Sequence, residues 1–161
     1  MFDAIDIQIL NILQSDARIA NVEIARQVGL APSAVLERVR KLEESGVIRS
    51  YETRIDAARV GLGLKAFVFV RTSGCGTIDE ILAAIPEVLE VHDVAGEDCY
   101  LLKVCTKDTE ELGKLLRDKL KPIPEIVSTR TTVVLETIKE TNILPIEKAN
   151  KNRINKLRSE K

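Results

Sequence analysis

The sequence predicts an α+β protein in which an N-terminal three-helix winged helix-turn-helix domain precedes a ferredoxin-like β-α-β-β-α-β domain. Two helical patterns joined by a glycine-centred turn occupy residues 20–46. Strand-like and helix-like patterns then follow one another in the β-α-β-β-α-β order between residues 64 and 138. We therefore expect a helix-turn-helix domain at 1–50, a linker or arm at 51–63, a ferredoxin-like domain at 64–145 and a mobile basic tail at 146–161.

The first predicted helix begins at Asp3, because an aspartate side chain can accept from the unpaired N–H groups of a helix N-terminus. Apolar residues then recur at helical spacing over about three turns, namely Ile5, Ile7, Ile9, Leu10, Ile12 and Leu13. Their apolar face is expected to cover the two helices that follow, so that three helices enclose one small core.

The next two helices have recognisable start and stop residues. Asn21 is expected to cap the first of them, and Gly29 to end it in the left-handed conformation that glycine tolerates. Pro32 opens the second, where its missing N–H costs nothing, and Gly46 ends it. Apolar residues recur along this second helix at 35, 39 and 42. The pattern is typical of a helix-turn-helix.

The outward face of the second of these helices is polar and basic, which favours DNA binding, since a helix fits the major groove and Arg or Lys reaches guanine edges or phosphates there. A helical hairpin with a solvated charged face is the alternative. The pattern of residues 47–55 predicts either a short extended arm or wing that could flank DNA, or a solvated strand. The candidate DNA-contacting residues are Asn21, Ser33, Ala34, Glu37, Arg38, Arg40, Lys41 and Arg49.

The composition of this 161-residue chain limits the kinds of partner that it can bind. Its formal net charge is −1, so a monomer would bind DNA poorly through phosphate contacts alone, which favours dimers or larger assemblies. Aromatic residues make up 3% of the chain and Trp is absent, so no platform for stacking single-stranded bases is expected. Three cysteines without a CxxC pair and one histidine, His92, do not predict a zinc site.

The N-terminal residues lack the basic segment of a signal peptide, and no apolar run is long enough to span a membrane. We therefore expect a cytoplasmic protein with reduced cysteines, without a cofactor and without catalytic residues.

The second domain is predicted element by element. A strand at 64–72 is followed by a helix from a Thr77 cap to Ala84, with Ile78, Ile81, Leu82 and Ile85 inward. Strands follow at 88–95 and 99–106, then a helix capped by Asp108 or Thr109, and a long last strand at 126–138. Both helices lie on one face of the sheet. The other face is therefore expected to carry apolar side chains and to pair with another subunit.

Ordered motifs in both domains are similar to those of the leucine-responsive regulatory protein/AsnC (Lrp/AsnC) family of transcription regulators. They comprise Asp6 with Ile9 and Leu10, 18–25 (RIANVEIA), 28–33 (VGLAPS), 36–43 (LERVRKLE), 46–48 (GVI) with Tyr51, 94–102 (VAGEDCYLL) and 129–131 (TRT). The resemblance implies a transcription regulator that binds double-stranded DNA through its first domain. It also implies a second domain that binds a small effector, usually an amino acid, and that forms dimers and often octamers.

The resemblance places the effector between subunits, near the loop that joins the second and third strands. The residues implied are Gly96, Glu97, Asp98, Cys99, Tyr100, Thr129 and Thr131. Asp98 could supply a carboxylate for an ammonium group, and the two threonines could bond a carboxylate; Asp98 as a simple turn residue is the alternative. The family commonly has an aromatic residue and then Asp where this chain has Asp98 and Cys99, which leaves the effector open.

Two further functions stay open at this stage. A DNA-organising protein without an effector fits the same domains. An enzyme resembling siroheme decarboxylases shares the architecture, but it would need a basic pocket and a proton donor. His92 lies in a strand pattern where a core or interface role is favoured, and the chain retains Arg38, Arg40 and Lys41. The regulator is therefore the preferred interpretation.

Overall fold

The computed structural model describes residues 3–74 and 78–146. The chain forms two compact units. The helical unit comprises the chain up to Arg54 together with the segment from Lys139, and the sheet unit is Ile55–Ile138. The mixed helix and sheet class and the order of the elements agree with the sequence prediction. The segment 139–145, assigned from the sequence to the second domain, groups with the first, and the proposed tail beyond Ile146 lies outside the described residues.

Three helices build the helical unit: α1 (Ala4–Ser15), α2 (Asn21–Val28) and α3 (Pro32–Glu44). Asp3 caps α1 as predicted, in a capping box where Asp3 and Asp6 each accept the other's backbone N–H. Gly29 ends α2 with a φ of 72°, and Pro32 is the first residue of α3. One core joins the three helices, and its buried members are Ile9, Leu10, Ile24, Ala25, Val35, Val39 and Leu42.

The expected cap at Asn21 is wrong. Ala20 occupies the N-cap position with an extended backbone, and no side chain caps α2. Asn21 is the first residue inside the helix, so its side chain projects from the first turn instead of lying beside the unpaired N–H groups.

The predicted wing does not form a paired strand. The backbone N–H groups of Val47 and Ile48 both donate to the Leu42 carbonyl after α3, and residues 49–56 form no helix or strand. Farther along, the chain returns to α1, where Leu144 N–H donates to Gln14 Oε1 at 2.6 Å. Ile146 packs against the helical core, so the segment from Lys139 is a structural part of this unit.

The sheet unit contains β1 (Leu64–Thr72), α4 (Asp79–Ala83), β2 (Val88–Asp93), β3 (Tyr100–Thr106), α5 (Thr109–Lys114) and β4 (Ile126–Val133). A short 3₁₀ turn, Ala58–Val60, precedes β1, and a π-helical segment, Leu115–Leu120, continues α5. The sheet order is β2-β3-β1-β4 with antiparallel neighbours. This is the ferredoxin-like arrangement that the β-α-β-β-α-β order predicts.

One face of the sheet packs against the helices and the other is open. Val68 and Val70 of β1 and Leu102 and Val104 of β3 are buried on the helix-covered face, with Leu82 of α4 and others. Alternate residues of the same strands, including Phe67, Phe69 and Leu101, are half-buried on the open face.

Two details of the sheet unit differ from the prediction. Ile81, expected to face inward, is exposed, while Ile78, Leu82 and Ile85 are buried as predicted. The last strand ends at Val133, and the Val134 N–H donates to the Lys65 carbonyl. Because β4 runs antiparallel to β1, most later residues would have to pair with residues that precede the start of β1. The predicted cap Thr77 lies outside the described residues. Within the described ranges, no helix is long and apolar enough to cross a membrane.

Candidate functional site

The outward face of α3 carries the predicted DNA-contacting residues in a compact cluster. Ser33, Ala34, Glu37, Arg40 and Lys41 are all exposed. They are out of phase with the buried set of α3, so helical geometry turns them to solvent together. This places a polar and basic face on the helix that follows the tight turn, as a recognition helix requires.

Carboxylates of α3 already pair with its two outward cations. Arg40 contacts Glu37 at 3.1 Å and Glu44 at 3.2 Å, and Lys41 lies 3.5 Å from Glu37. The hydrogen bond from Arg40 holds the pKa of Glu37 below its ordinary value. Exposed pairs of this kind are weak and salt-sensitive, so both cations can exchange their partners for phosphates or base edges.

Arg38 departs from the expected outward face. It lies on a flank of α3, and its Nη1 donates at 2.7 Å to Asp3 Oδ2 and at 2.7 Å to Asp6 Oδ1. Both acceptors belong to the N-terminal turn of α1. Sequence reasoning missed this because the partners lie more than 30 residues away along the chain and no local pattern marks them.

Leu36 was also missed by sequence reasoning. Its side chain is 56% exposed on the other flank of α3, one turn before Arg40. Its position out of phase with Val35 and Val39 is the signal that could have found it. An exposed leucine beside a basic helix face can contact a thymine methyl group in the major groove.

A depression of about 450 Å³ borders this face of the helical unit. Its lining includes Asn21, Leu36, Arg40, Glu43 and Tyr51. The Tyr51 hydroxyl donates to Glu43 at 2.8 Å, and burial together with this carboxylate raises the pKa of Tyr51 to about 12. This contact holds the start of the arm against α3. The arm also exposes Arg49, which has no ion-pair partner among the described residues.

The candidate ligand loop of the sheet unit is held by arginines. Asp98, whose side chain is 16% exposed, accepts from Arg130 at 3.2 Å and lies 3.9 Å from Arg71. The Arg130 guanidinium stacks 3.9 Å above the Phe69 ring, and Glu97, 91% exposed, pairs with Arg71 at 3.4 Å. Asp98 is therefore more than a solvated turn residue, but its charge already has guanidinium partners within the chain.

The expected role of Tyr100 in the site is not supported by its position. Its ring is fully buried and its hydroxyl donates to Asp79 of α4, so the side chain belongs to the core on the helix-covered face. Cys99 is half-buried, and its backbone N–H donates to the Val70 carbonyl. The tyrosine was assigned by its place in the loop, whereas strand alternation turns its side chain inward.

Thr129 and Thr131 do share one face of β4, as predicted, but it is not the face that holds Asp98. They lie opposite Val70 and Val68, whose side chains face the helices. Arg130, which binds Asp98, lies opposite Phe69 on the open face. A single chain therefore does not bring Asp98 and the threonines into one cleft.

An open depression of about 410 Å³ lies at the same end of the sheet. Arg71, Thr72, Glu97 and Cys99 line it. A guanidinium, an exposed carboxylate and a hydroxyl can together meet a small zwitterion by charge-assisted hydrogen bonds. In the described part of the chain, no three His, Cys, Asp or Glu side chains are grouped as metal ligands.

Comparison with known proteins agrees with the division into a DNA-binding and a ligand-binding part. The profile of the winged helix-turn-helix DNA-binding domain matches residues 2–49, and that of the Lrp/AsnC ligand binding domain matches residues 65–144. Together they define a DNA-binding regulator of transcription with a ligand-binding domain.

The chain belongs to the Lrp/AsnC family. It is 40% identical over 148 residues to the HTH-type transcriptional regulator FL11 of Pyrococcus horikoshii, covering 90% of this chain and 97% of that protein. It is 39% identical over 150 residues to the leucine-responsive regulatory protein of Escherichia coli, covering 90% and 92% of the two chains. The structure superimposes on a Neisseria meningitidis transcriptional regulator solved in complex with L-Met, with a TM-score of 0.87, 32% identity and coverage of 92% and 99%.

Proposed function

We propose that this regulator recognises a specific operator through the outward face of α3 and that a small amino acid controls its assembly and DNA binding. The observation that carries the DNA part is the exposed pair Arg40 and Lys41 on a helix whose other face forms the domain core. Arg40 is suited to a guanine edge and Lys41 to a phosphate. Arg49 on the arm is a further candidate phosphate contact, and Glu37 can accept from a cytosine amino group.

An amino acid is the favoured effector class for two reasons. The Neisseria regulator is described as an L-Met complex, and the ligand-loop end of the sheet unit offers both signs of charge. Arg71 can donate to a carboxylate, while Glu97 is exposed and able to meet an ammonium group. Asp98 pairs with Arg130 and lies 3.9 Å from Arg71, so its proposed contribution is to hold these two arginines in place at the ligand-loop end.

A second copy of the chain is the proposed occupant of the open sheet face. Phe67, Phe69 and Leu101 form a half-buried apolar band there, flanked by Lys103 and Arg130. Pairing two such faces buries the band, and two copies supply the two recognition helices that a weakly charged chain needs for tight DNA binding. The family resemblance favours dimers that assemble further, with an octamer as the expected form.

The proposal is tested by selecting DNA from a random duplex pool and titrating the selected sequence by fluorescence anisotropy. We expect binding that is at least about 1,000-fold tighter than to shuffled DNA. Binding equal to shuffled DNA would contradict operator recognition and favour a DNA-organising protein. In parallel, thermal-shift screening of the standard amino acids is expected to identify an effector, because a ligand that binds only the native state raises the melting temperature.

A further inference from the structure

Arg38 joins two helices of the helical unit through a closed set of hydrogen bonds. Its Nη1 donates to Asp3 Oδ2 and to Asp6 Oδ1, each at 2.7 Å. The remaining oxygens complete the capping box, where Asp3 Oδ1 accepts Asp6 N–H at 2.8 Å and Asp6 Oδ2 accepts Asp3 N–H at 3.0 Å. Each carboxylate thus uses one oxygen to begin α1 and the other to hold α3.

Moving Arg38 to DNA would break this arrangement. Two carboxylates that lie 2.7 Å from the same nitrogen would lose the cation between them and would then face a polyanion. The Asp6 side chain is 16% exposed and the Arg38 side chain 32% exposed, so water compensates this loss only in part. Arg40 and Lys41 can leave their partners at lower cost, since these are exposed carboxylates on α3 itself.

We propose that Arg38 is a positioning residue, which fixes the orientation of the recognition helix α3 against the N-terminus of α1 and does not itself contact the operator. The inference rests on the proposed DNA-binding function. It replaces the expectation that Arg38 reads DNA together with Arg40 and Lys41. The specificity of the protein would then depend on α1, which carries none of the predicted DNA-contacting residues.

Asp6→Asn distinguishes positioning from direct contact because only positioning predicts weaker operator binding by this variant. If Arg38 contacts DNA, removing a carboxylate that competes for it leaves operator binding equal or tighter. If Arg38 positions α3, Asp6→Asn weakens operator binding about tenfold, as Arg38→Ala does, and the double variant is no weaker than the single ones. Glu23→Gln is the matched control, since it removes a carboxylate from an exposed pair with Arg26 on α2 and is expected not to weaken binding.

The salt dependence of operator affinity is a second measurement, and a loss of stability alone would not change it. A lost phosphate contact lowers the slope of log affinity against log salt concentration by about one, whereas a positioning residue leaves the slope unchanged. Titrations are made below the melting temperature of each variant, determined by circular dichroism. If Asp6→Asn is unfolded at the assay temperature, Asp3→Asn replaces it with the same expected directions.

Three results would overturn the inference. They are tighter or unchanged operator binding by folded Asp6→Asn, unchanged operator binding by folded Arg38→Ala, and a slope reduced by about one in Arg38→Ala. Failure of the wild-type protein to select any DNA contradicts the proposed function itself and is recognised separately, because it precedes any comparison of variants.

Discussion

Arg40 is the side chain that we expect to contribute most to direct base reading. It lies near the middle of the outward face of α3, and its guanidinium is held by two exposed carboxylates that DNA can replace. Arg40→Ala is expected to weaken operator binding about tenfold and to relax the base preference at one position, since a bidentate contact is lost. Anisotropy titrations with single-base operator variants measure both effects. Arg117→Ala, an exposed arginine of the sheet unit, is the control, and an equal loss in that variant would contradict a local role for Arg40.

Glu37 is expected to weaken non-specific binding to phosphates, although it orients the two cations of α3 and can itself contact a base. It pairs with Arg40 and Lys41, so Glu37→Gln is expected to tighten binding to shuffled DNA severalfold at low salt by removing a like charge from the phosphate-facing surface. Operator specificity should fall, because Arg40 loses a partner that fixes its side chain. Competition titrations at several salt concentrations test this, with Glu110→Gln on α5 as the matched control. Weaker binding to shuffled DNA would contradict the expected electrostatic role.

At the scale of the element, the N-terminus of α1 is one acid-sensitive part of the helical unit. Hydrogen bonds from the Asp6 N–H and from Arg38 lower the pKa of Asp3 below its ordinary value of 3.8. Since the folded-state pKa is the lower one, this stabilisation is complete above the unfolded value and is lost as pH falls through the folded value. The melting temperature should therefore fall below about pH 4, and less steeply in Arg38→Ala than in wild type. An identical pH dependence in the two proteins would contradict the contribution of the Asp3–Arg38 contact.

Three of the helix limits that depend on local chemistry were predicted correctly from the sequence, whereas the cap expected at Asn21 was wrong. The cap at Asp3, the stop at Gly29 and the start at Pro32 each depend on one residue's backbone chemistry, and the structure confirms them. The strand at 126–138 was predicted too long because apolar residues continue as far as Ile138, past the residues of β4 that pair with β1. Sequence alternation records which face a residue prefers, but a strand also needs a neighbour.

The candidate sites also contain a part that local periodicity predicts and a part that depends on residues distant in the sequence. Helical periodicity was sufficient to place Glu37, Arg40 and Lys41 on one exposed face. The partners of Arg38 and Asp98 come from residues about 30 positions away, and no periodicity encodes such a pairing. The register of β4 decides that Thr131 lies opposite Val68, and register is set by the assembled sheet.

At the scale of the whole molecule, assembly is expected to depend on the open sheet face. Phe67→Glu places a charge in the apolar band between Lys103 and Thr132, and burial of that charge against a second copy is costly. The variant should therefore dissociate toward monomers at micromolar concentration. Light scattering coupled to size exclusion measures the change. Ile81→Glu alters an exposed isoleucine of α4 and should keep the wild-type mass; dissociation of this control alone would assign the interface to the helix-covered side.

The proposed effector response would connect assembly with DNA binding. Its test begins with the amino acid that most raises the melting temperature of the wild-type protein. At about 100 times its Kd a native-state ligand stabilises by about 2.7 kcal/mol. Arg71→Ala should reduce this shift by removing the guanidinium that lines the depression, and Asp98→Ala should reduce it by releasing Arg130 from its place above Phe69.

The same two variants distinguish a ligand contact from a structural effect. Lys119→Ala is the control, because it removes a cation that pairs with Glu87 in the same unit but lies outside the depression. The ligand can change assembly only through its different affinity for the two assembled forms, so the wild-type mass distribution should change with ligand and that of Arg71→Ala should not. Equal calorimetric affinities in wild type, Arg71→Ala and Asp98→Ala would place the pocket elsewhere in the sheet unit.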